Sequence, residues 1–160
     1  MKKLIIILLL LQTTVLVYGP VPQNDPDKIF ENWLYNYAPL TPGNLKLAID
    51  FNNIIAPAVV FAQSRLETGN FQSKLCTGYN NLFGMKKARR RPTTAQGATD
   101  NNYAAYRTWY DSVKDMKLFQ QWYLSRGRDL TDYFGFLASI GYAEDPYYLA
   151  KVVKLCTTSR

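Results

Sequence analysis

Residues 57–69 read PAVVFAQSRLETG, and residues 81–86 read NLFGMK. Pro57 suits the first turn of a helix, the apolar and small residues after it favour helical packing, and Gly69 supplies a stop. Glu67 therefore lies in the last turn of a predicted helix, beside an apolar stripe. The negative end of the helix dipole and burial both raise the pKa of a carboxyl group, as a proton donor near neutral pH requires. Glu67 is the first catalytic candidate, and a solvated glutamate at a helix end is the alternative.

The chain has 160 residues, enough for one domain with a hydrophobic core. Residues 1–19 combine two lysines with an apolar run and a final glycine, which predicts a signal peptide, with a retained N-terminal anchor as the alternative. Residues 20–27 are predicted as a linker and residues 28–160 as a single domain. We expect an exported monomer without stable membrane insertion after signal cleavage, since the apolar run is shorter than the roughly 20 residues that span a bilayer.

The sequence contains no histidine. This excludes nucleophilic catalysis with an imidazole base, and it excludes the histidine-ligated zinc sites that many hydrolases use. The two cysteines alone cannot form a four-ligand zinc site. Hydrolysis by this chain is therefore expected to depend on carboxyl groups, with no metal and no cofactor.

The formal net charge is +7, and much of the excess lies in a basic run, KKARRR, at residues 86–91. Such runs attract nucleic acid, anionic lipid or acidic polymers, or they are solvated loops. Predicted export argues against nucleic acid. Because the run begins at the end of NLFGMK, an anionic glycan–peptide polymer is the expected partner, and Arg91 is a candidate substrate-binding residue.

The two cysteines are Cys76 and Cys156. In an exported protein they are consistent with one disulfide, which would tie the loop after the Glu67 helix to the C-terminal helix. Two buried thiols are the alternative.

Helical periodicity predicts six helices, which begin near residues 27, 45, 57, 111, 130 and 146. Between residues 80 and 110 this period is absent. A short alternation at residues 103–109 predicts a strand, paired with residues 83–87 in a small hairpin lobe, and residues 89–102 are predicted as a mobile loop. The expected fold is mainly α (α+β), a helical domain with a small β-hairpin lobe.

Four motifs resemble, in order, those of the peptidoglycan N-acetylglucosaminidase family (glycoside hydrolase family 73). They are AQSRLETG at 62–69, NLFGMK at 81–86, YRTWYDSVKD at 106–115 and GYAEDPYY at 141–148, in which Glu144 stands where the family usually has threonine. The resemblance covers residues 45–156. It implies a lysozyme-like fold with a glycan cleft beside the β lobe, and cleavage of the bond after N-acetylglucosamine in peptidoglycan glycan strands.

Glycosidases commonly use two carboxyl groups. With Glu67 as the general acid, Asp100 is the candidate for the second, because no other acidic residue occurs between residues 68 and 110. A turn-forming aspartate is the alternative; Gln96 could occupy the family's position instead, and the N-acetyl group of the sugar could then act as internal nucleophile. Tyr142 matches the family's motif tyrosine, and its hydroxyl could hydrogen-bond Glu67 or the oxocarbenium-like centre of the sugar. A role in packing is the alternative.

The remaining candidates for substrate binding carry an aromatic face or an amide group: Tyr79, Asn81, Phe83, Tyr106 and Trp109. Core packing or loop shaping is the alternative for each. Three functions follow: an endo-β-N-acetylglucosaminidase of bacterial or phage origin, a lytic transglycosylase on the same fold, and a catalytically silent wall-binding or assembly protein.

Overall fold

The computed structural model describes residues 25–158. The predicted signal peptide, and most of the predicted linker, lie outside the described residues. Within them the chain forms helices and one two-stranded antiparallel sheet, so the expected mainly α, lysozyme-like architecture with a small β lobe is confirmed. None of the helices in this range is long and apolar enough to cross a bilayer.

The elements follow one another along the chain as α1 (Pro26–Asn36), α2 (Pro42–Phe51), α3 (Pro57–Thr68), α4 (Lys74–Tyr79), β1 (Gly97–Ala98), β2 (Ala104–Ala105), α5 (Trp109–Leu124), α6 (Tyr133–Ser139) and α7 (Tyr148–Thr157). Each of the first three helices has a proline in its first turn, where no intrahelical N–H donor is needed. The helix predicted over residues 57–68 is confirmed. It ends at Gly69, whose φ of 54° is left-handed.

Helix α3 lies at the centre of the domain, packed against α7 and α2. Val60 and Phe61 enter the main hydrophobic core, whereas Ala62 belongs to a smaller cluster with Val152 of α7. Burying a large apolar side chain contributes about 1.5–3 kcal/mol, so α3 is held firmly on two sides. Glu67 is therefore carried by a rigid element.

The β lobe is smaller than the predicted hairpin. Strand β1 pairs with β2, with Gly97 opposite Ala105, and one isolated bridge joins Lys86 to Tyr103. The predicted pairing of residues 83–87 with the later strand is thus reduced to a single bridge. The predicted strand over 103–109 ends early because Thr108 starts α5 through a capping box with Asp111. Strand β1 lies in the segment predicted as a loop, since glycine and alanine carry little β propensity.

Two other elements differ from prediction. The segment between Gly69 and Tyr79 contains the short helix α4, which Ser73 caps by accepting a hydrogen bond from the Cys76 amide at 3.2 Å. Six residues are too few for a periodic signal. Helix α6 begins three residues later than expected, because Asp132 caps it by accepting from the backbone amide of Gly135 at 2.9 Å.

The predicted disulfide is not present: both cysteines are free thiols. Cys76 is buried in the main core, and Cys156 packs in the smaller cluster between α3 and α7. The Sγ atom of Cys156 lies 3.6 Å from the carbonyl oxygen of Ala58. The two thiols are unpaired because they pack in separate hydrophobic clusters.

Candidate active site

A cavity of about 740 Å³ lies where the end of α3 meets the β lobe and the segment before α7. Its walls come from four parts of the chain: Glu67 with its neighbour Leu66, residues 83–88 with Arg91 and Tyr103, Phe119 and Tyr123 of α5, and residues 140–145 with Tyr148 and Lys151. This volume is in the usual range for small-molecule sites. The cavity brings together the LETG, NLFGMK and GYAEDPYY motifs, which are distant in sequence.

Glu67 is half-buried in the wall of this cavity. Burial raises the pKa of its carboxyl group, and a hydrogen bond from the side chain of Tyr148 acts in the opposite direction. The net direction is upward, as the position of Glu67 in the last turn of α3 predicted. A carboxyl group with a raised pKa keeps its proton at higher pH and can donate it to a leaving group.

Gly84 of the NLFGMK motif packs directly against this carboxyl group. Its φ is +63°, and a Cβ atom added there would lie 2.6 Å from Oε2 of Glu67 and 3.2 Å from Cδ. Both the left-handed backbone and the lack of space therefore require glycine. The contact gives a physical reason for the two motifs to occur in one protein, since the glycine of the second confines the acid of the first.

Replacing Gly84 with alanine is expected to push the Glu67 carboxyl group out of place. A misplacement of about 1 Å can cost about 10²-fold in rate, so we expect a loss of that order in kcat. Gly127→Ala is the matched control, because Gly127 has φ +72° but nothing within 4 Å of an added Cβ. The control should lose stability through backbone strain alone, and equal activity losses in the two variants would contradict the proposed contact.

Tyr148 lies beside Glu67 and was not singled out from the sequence. Its hydroxyl accepts a hydrogen bond from Nε2 of Gln63 at 3.1 Å and also bonds to the carboxyl group of Glu67. Because the amide of Gln63 donates to the hydroxyl, the hydroxyl proton is directed at Glu67. Gln63 is fully buried and lies one helical turn before Glu67, on the same face of α3. The one sequence signal for a buried polar partner beside Glu67 was Gln63, a glutamine on an otherwise apolar helical face.

Replacing Tyr148 with phenylalanine should raise the pKa of Glu67 further. The hydroxyl lowers this pKa by stabilising the carboxylate, so its loss favours the protonated form. The alkaline limb of the profile of kcat against pH should therefore move to higher pH. Tyr147→Phe is the control, because Tyr147 is an exposed neighbour. An unchanged limb in Tyr148→Phe would show that the hydroxyl does not act on Glu67.

Tyr142 lines the cavity, but its hydroxyl donates to the carbonyl oxygen of Phe83 at 2.9 Å. The hydrogen bond to Glu67 considered from the sequence is therefore not the one observed. Burial raises the pKa of Tyr142, with further increases from the nearby Tyr148 and from the charge of Glu67. Since Phe83 directly precedes Gly84, Tyr142 holds the glycine against the acid.

A family comparison agrees with this geometry. The family model named Glucosaminidase, described as mannosyl-glycoprotein endo-beta-N-acetylglucosaminidase, matches residues 47–160, well over half of the chain. The chain belongs to this family. No curated protein and no solved structure matches the chain. The resemblance inferred from the four motifs is confirmed, and membership implies a glycan substrate and hydrolysis of glycosidic bonds.

Asp100 does not contact Glu67 in this structure. It lies in the exposed turn between β1 and β2, which is closed by a hydrogen bond from the Asn102 amide to the Thr99 carbonyl at 2.8 Å, and it does not line the cavity. Gln96 is also exposed and outside the cavity. The position of Asp100 matches the turn-forming alternative, and its role as second carboxylate stays a prediction that the cavity geometry does not support.

Two other acidic residues do line the cavity, Glu144 and Asp145. Asp145 forms an ion pair with Lys151 and accepts a hydrogen bond from the amide of Tyr147 at 2.9 Å; the bond from Lys151 is the main reason that its pKa is lowered. Glu144 is exposed. Within residues 25–158, no three histidine, cysteine, aspartate or glutamate side chains cluster in a way that could hold a metal ion.

Asn81 is fully buried, and its amide group is hydrogen-bonded to the backbone. Its Nδ2 donates to the carbonyl oxygens of Met85 and Ala104, both at 2.9 Å, and its Oδ1 accepts from the amides of Phe83 and Met85. These bonds join the NLFGMK loop to the β lobe. The observed contacts of Asn81 match the loop-shaping alternative and leave no amide group free for a substrate.

Arg91 lines the cavity, but its guanidinium group is occupied. It forms two hydrogen bonds with the carboxylate of Asp115, at 2.8 and 2.9 Å, and donates to the carbonyl oxygen of Pro92. Tyr106 is buried and donates to the same carboxylate at 2.7 Å. In this structure both polar groups are bonded to Asp115 instead of facing a substrate. Arg91 thereby fastens the loop before the β lobe to α5, and Tyr106 fastens the segment after β2 to the same helix.

The other aromatic candidates differ in whether they line the cavity. Trp109 is buried, and its Nε1 donates to the carbonyl oxygen of Ala38 at 2.9 Å, so it belongs to the core rather than to the cleft. Tyr79 is exposed but lies outside the cavity. Phe83 alone of the predicted aromatic residues lines the cavity, although it is almost fully buried. The ring of Tyr142, which was considered for a hydrogen bond and not for stacking, also lines the cavity beside Phe83.

Proposed function

We propose that this glucosaminidase cleaves peptidoglycan glycan strands as an endo-β-N-acetylglucosaminidase, with Glu67 as general acid. The observation that carries this proposal is the half-buried carboxyl group with a raised pKa, confined by Gly84 in the wall of a glycan-sized cavity. We also propose that the protein is exported and acts as a monomer. Support for export is the sequence pattern of residues 1–19.

The acid has the surroundings that proton donation requires. Before the reaction, burial keeps the Glu67 proton in place. When the proton passes to the glycosidic oxygen, the new carboxylate is stabilised by the hydrogen bond from Tyr148. The same carboxylate then faces the positive charge that develops on the sugar ring, which supports the oxocarbenium-like transition state of glycoside hydrolysis.

The second half of the reaction needs a group that supports the attacking nucleophile. Asp100 lies outside the cavity and Asp145 is paired with Lys151, so Glu144 is the remaining carboxylate among the described residues that line the cavity. It could act as the base that activates water. The N-acetyl group of the substrate is the alternative, since it can serve as an internal nucleophile without any second carboxylate.

A lytic transglycosylase is the second candidate function. It is favoured by one observation: among residues 25–158, Glu67 is the cavity carboxyl group confined in the wall by Gly84, whereas Asp145 is paired with Lys151 and Glu144 is exposed. A single acid suffices for this reaction, in which the substrate closes on itself and no water is consumed. The two candidates share a substrate and differ in the ends that they produce.

Product analysis on purified peptidoglycan tests the proposal. Mass spectra of the digest should show new reducing N-acetylglucosamine ends, whereas anhydro-muramic ends would establish the transglycosylase. Wall pelleting without released sugar would identify a catalytically silent wall-binding protein. In parallel, Glu144→Gln should lose most activity if Glu144 activates water, and should remain active if the N-acetyl group is the nucleophile.

A further inference from the structure

The cations of the basic run at residues 86–91 fall into two groups, those with a bonding partner in the fold and those without an ion pair. Lys86 donates to the carbonyl oxygen of Asn101 at 2.9 Å and lies over the ring of Tyr103, 3.4 Å from its centroid. Arg91 is paired with Asp115. The two residues at the ends of the run therefore fix this segment: Lys86 binds it to the β lobe, and Arg91 binds it to α5.

Between these anchors lie three further cations, Lys87, Arg89 and Arg90. Among residues 25–158, none of the three forms an ion pair with a carboxylate. Lys87 is half-buried and lines the cavity, whereas Arg89 and Arg90 follow Ala88, are exposed and lie beside the cavity without lining it. The backbone amide of Lys87 donates to the carbonyl oxygen of Asn102 at 2.9 Å. The three charges are thus presented on a segment fixed at both ends.

The cavity has an asymmetric distribution of charge. One wall carries Lys86 and Lys87, and another carries Glu144 and Asp145, of which Asp145 is balanced by Lys151. An anionic substituent on a bound glycan would be repelled by Glu144 and attracted towards the basic segment. This distribution of charge would orient a bound anionic substrate with its negative groups towards the basic segment.

We propose that Lys87, Arg89 and Arg90 bind anionic groups that the wall polymer carries beside the cleaved bond. Arginine pairs of this kind suit carboxylates and phosphates, because the guanidinium group can form two parallel hydrogen bonds. The shared chemistry is an oxyanion, supplied by the carboxylates of peptide stems or by the phosphodiesters of wall-linked polymers. This inference rests on the proposed function, since it concerns the substrate of the same cavity.

The test compares two triple variants that remove the same charge. One is Lys87→Gln with Arg89→Gln and Arg90→Gln; the control is Lys74→Gln with Arg128→Gln and Lys154→Gln, all exposed and outside the cavity. On intact peptidoglycan at low salt, the first variant should show KM raised about tenfold, given the small contribution of each exposed pair. The control should match the wild type, and the difference should shrink at high salt.

Two stripped substrates identify the source of the oxyanion. Peptidoglycan freed of stem peptides by an amidase and peptidoglycan freed of phosphodiesters by acid are each compared with the intact wall. If the KM difference between the wild type and the Lys87, Arg89 and Arg90 variant disappears on one stripped substrate, the group removed from that substrate is the source of the oxyanion. An equal KM shift in both triple variants, or no shift in either, would overturn the proposal.

A binding measurement separates this proposal from the proposed function. All proteins are prepared with Glu67→Gln, and their pelleting with intact wall is measured without digestion. Weaker pelleting of the Lys87, Arg89 and Arg90 variant alone supports the basic segment even if no glycosidase activity is found. Equal pelleting of all the proteins would contradict it while leaving the activity of Glu67 untouched.

Discussion

Replacing Glu67 with glutamine is expected to lower kcat for glycan-strand cleavage by about 10²- to 10⁴-fold, the usual contribution of a positioned general acid. Glutamine has nearly the same shape and cannot donate an acidic proton. The loss should appear in the release of reducing ends from purified peptidoglycan, with KM little changed, because the variant removes an interaction made only in the transition state.

The thermal stability of Glu67→Gln should not fall with its activity. The pKa of Glu67 is raised in the folded state, so its contribution to stability is fully present below the unfolded pKa and is lost as pH rises through the folded pKa. Above the folded pKa of Glu67, the charged and half-buried carboxylate is a cost to stability that glutamine does not carry. Glu67→Gln should therefore melt at the same temperature as the wild type or higher at pH 8.

Asp100→Asn is the control for this experiment, because it makes the same kind of change at an exposed turn outside the cavity. It should keep its activity within about twofold, as surface substitutions usually have little effect. A large loss in Asp100→Asn would restore Asp100 as second carboxylate. Full activity in Glu67→Gln would reject Glu67 as the acid.

Replacing Asp115 with asparagine is expected to have the largest effect on stability. Asp115 is fully buried, and its carboxylate holds the guanidinium of Arg91 and the hydroxyl of Tyr106. Removing one partner of a buried ion pair leaves an uncompensated charge and typically costs about 3–5 kcal/mol. Urea unfolding at pH 7 should show a loss of this size.

The same pair should make stability depend on pH. Burial alone would raise the pKa of Asp115, but hydrogen bonds from Arg91 and its charge outweigh it, and the pKa is lowered from the ordinary 3.8. The contribution is present above the unfolded pKa and is lost as pH falls through the lower folded pKa. Wild type should therefore lose stability below pH of about 4, and Asp115→Asn should show a smaller loss.

Glu31→Gln is the matched control for Asp115→Asn. Glu31 pairs with Lys114 at 2.7 Å, but both side chains are partly exposed, at 40% and 38%. Exposed pairs contribute about 0–1 kcal/mol, so the two substitutions break ion pairs of similar length with very different expected costs. Equal losses would show that the burial of the Arg91–Asp115 pair does not set its contribution.

Much of the fold was predictable where a local signal decided it. Pro57 and Gly69 bound α3, because caps act over one helical turn. Helix α5 was predicted from its periodicity with a start near residue 111, whereas its cap is Thr108. Elements without such signals were missed. Strand β1 contains only glycine and alanine, and α4 has six residues, so neither carries a pattern that distinguishes it from a loop.

The candidate site was predicted less completely, because residue type does not show which partner a side chain finds. Arg91 resembles a substrate ligand in sequence, yet a carboxylate 24 residues later occupies it. Asn81 lies in the NLFGMK motif, yet its side-chain amide is fully hydrogen-bonded to backbone groups. Tyr148 carries a hydrogen bond to the acid, but its neighbour Tyr147 looks the same in sequence and is exposed.

The sequence by itself determined the helix that bears Glu67, the exclusion of imidazole catalysis through the absence of histidine, and the family. Each of these depends on composition, on motifs or on contacts within one helical turn. Only the tertiary structure decided that Gly84 confines the carboxyl group of Glu67, that Asp100 lies apart from it, and that two cations of the basic run are held by partners while three form no ion pair within residues 25–158. Those outcomes depend on which distant side chains meet, and that is set by the packing of α3 against α7 and by the β lobe, not by any local pattern.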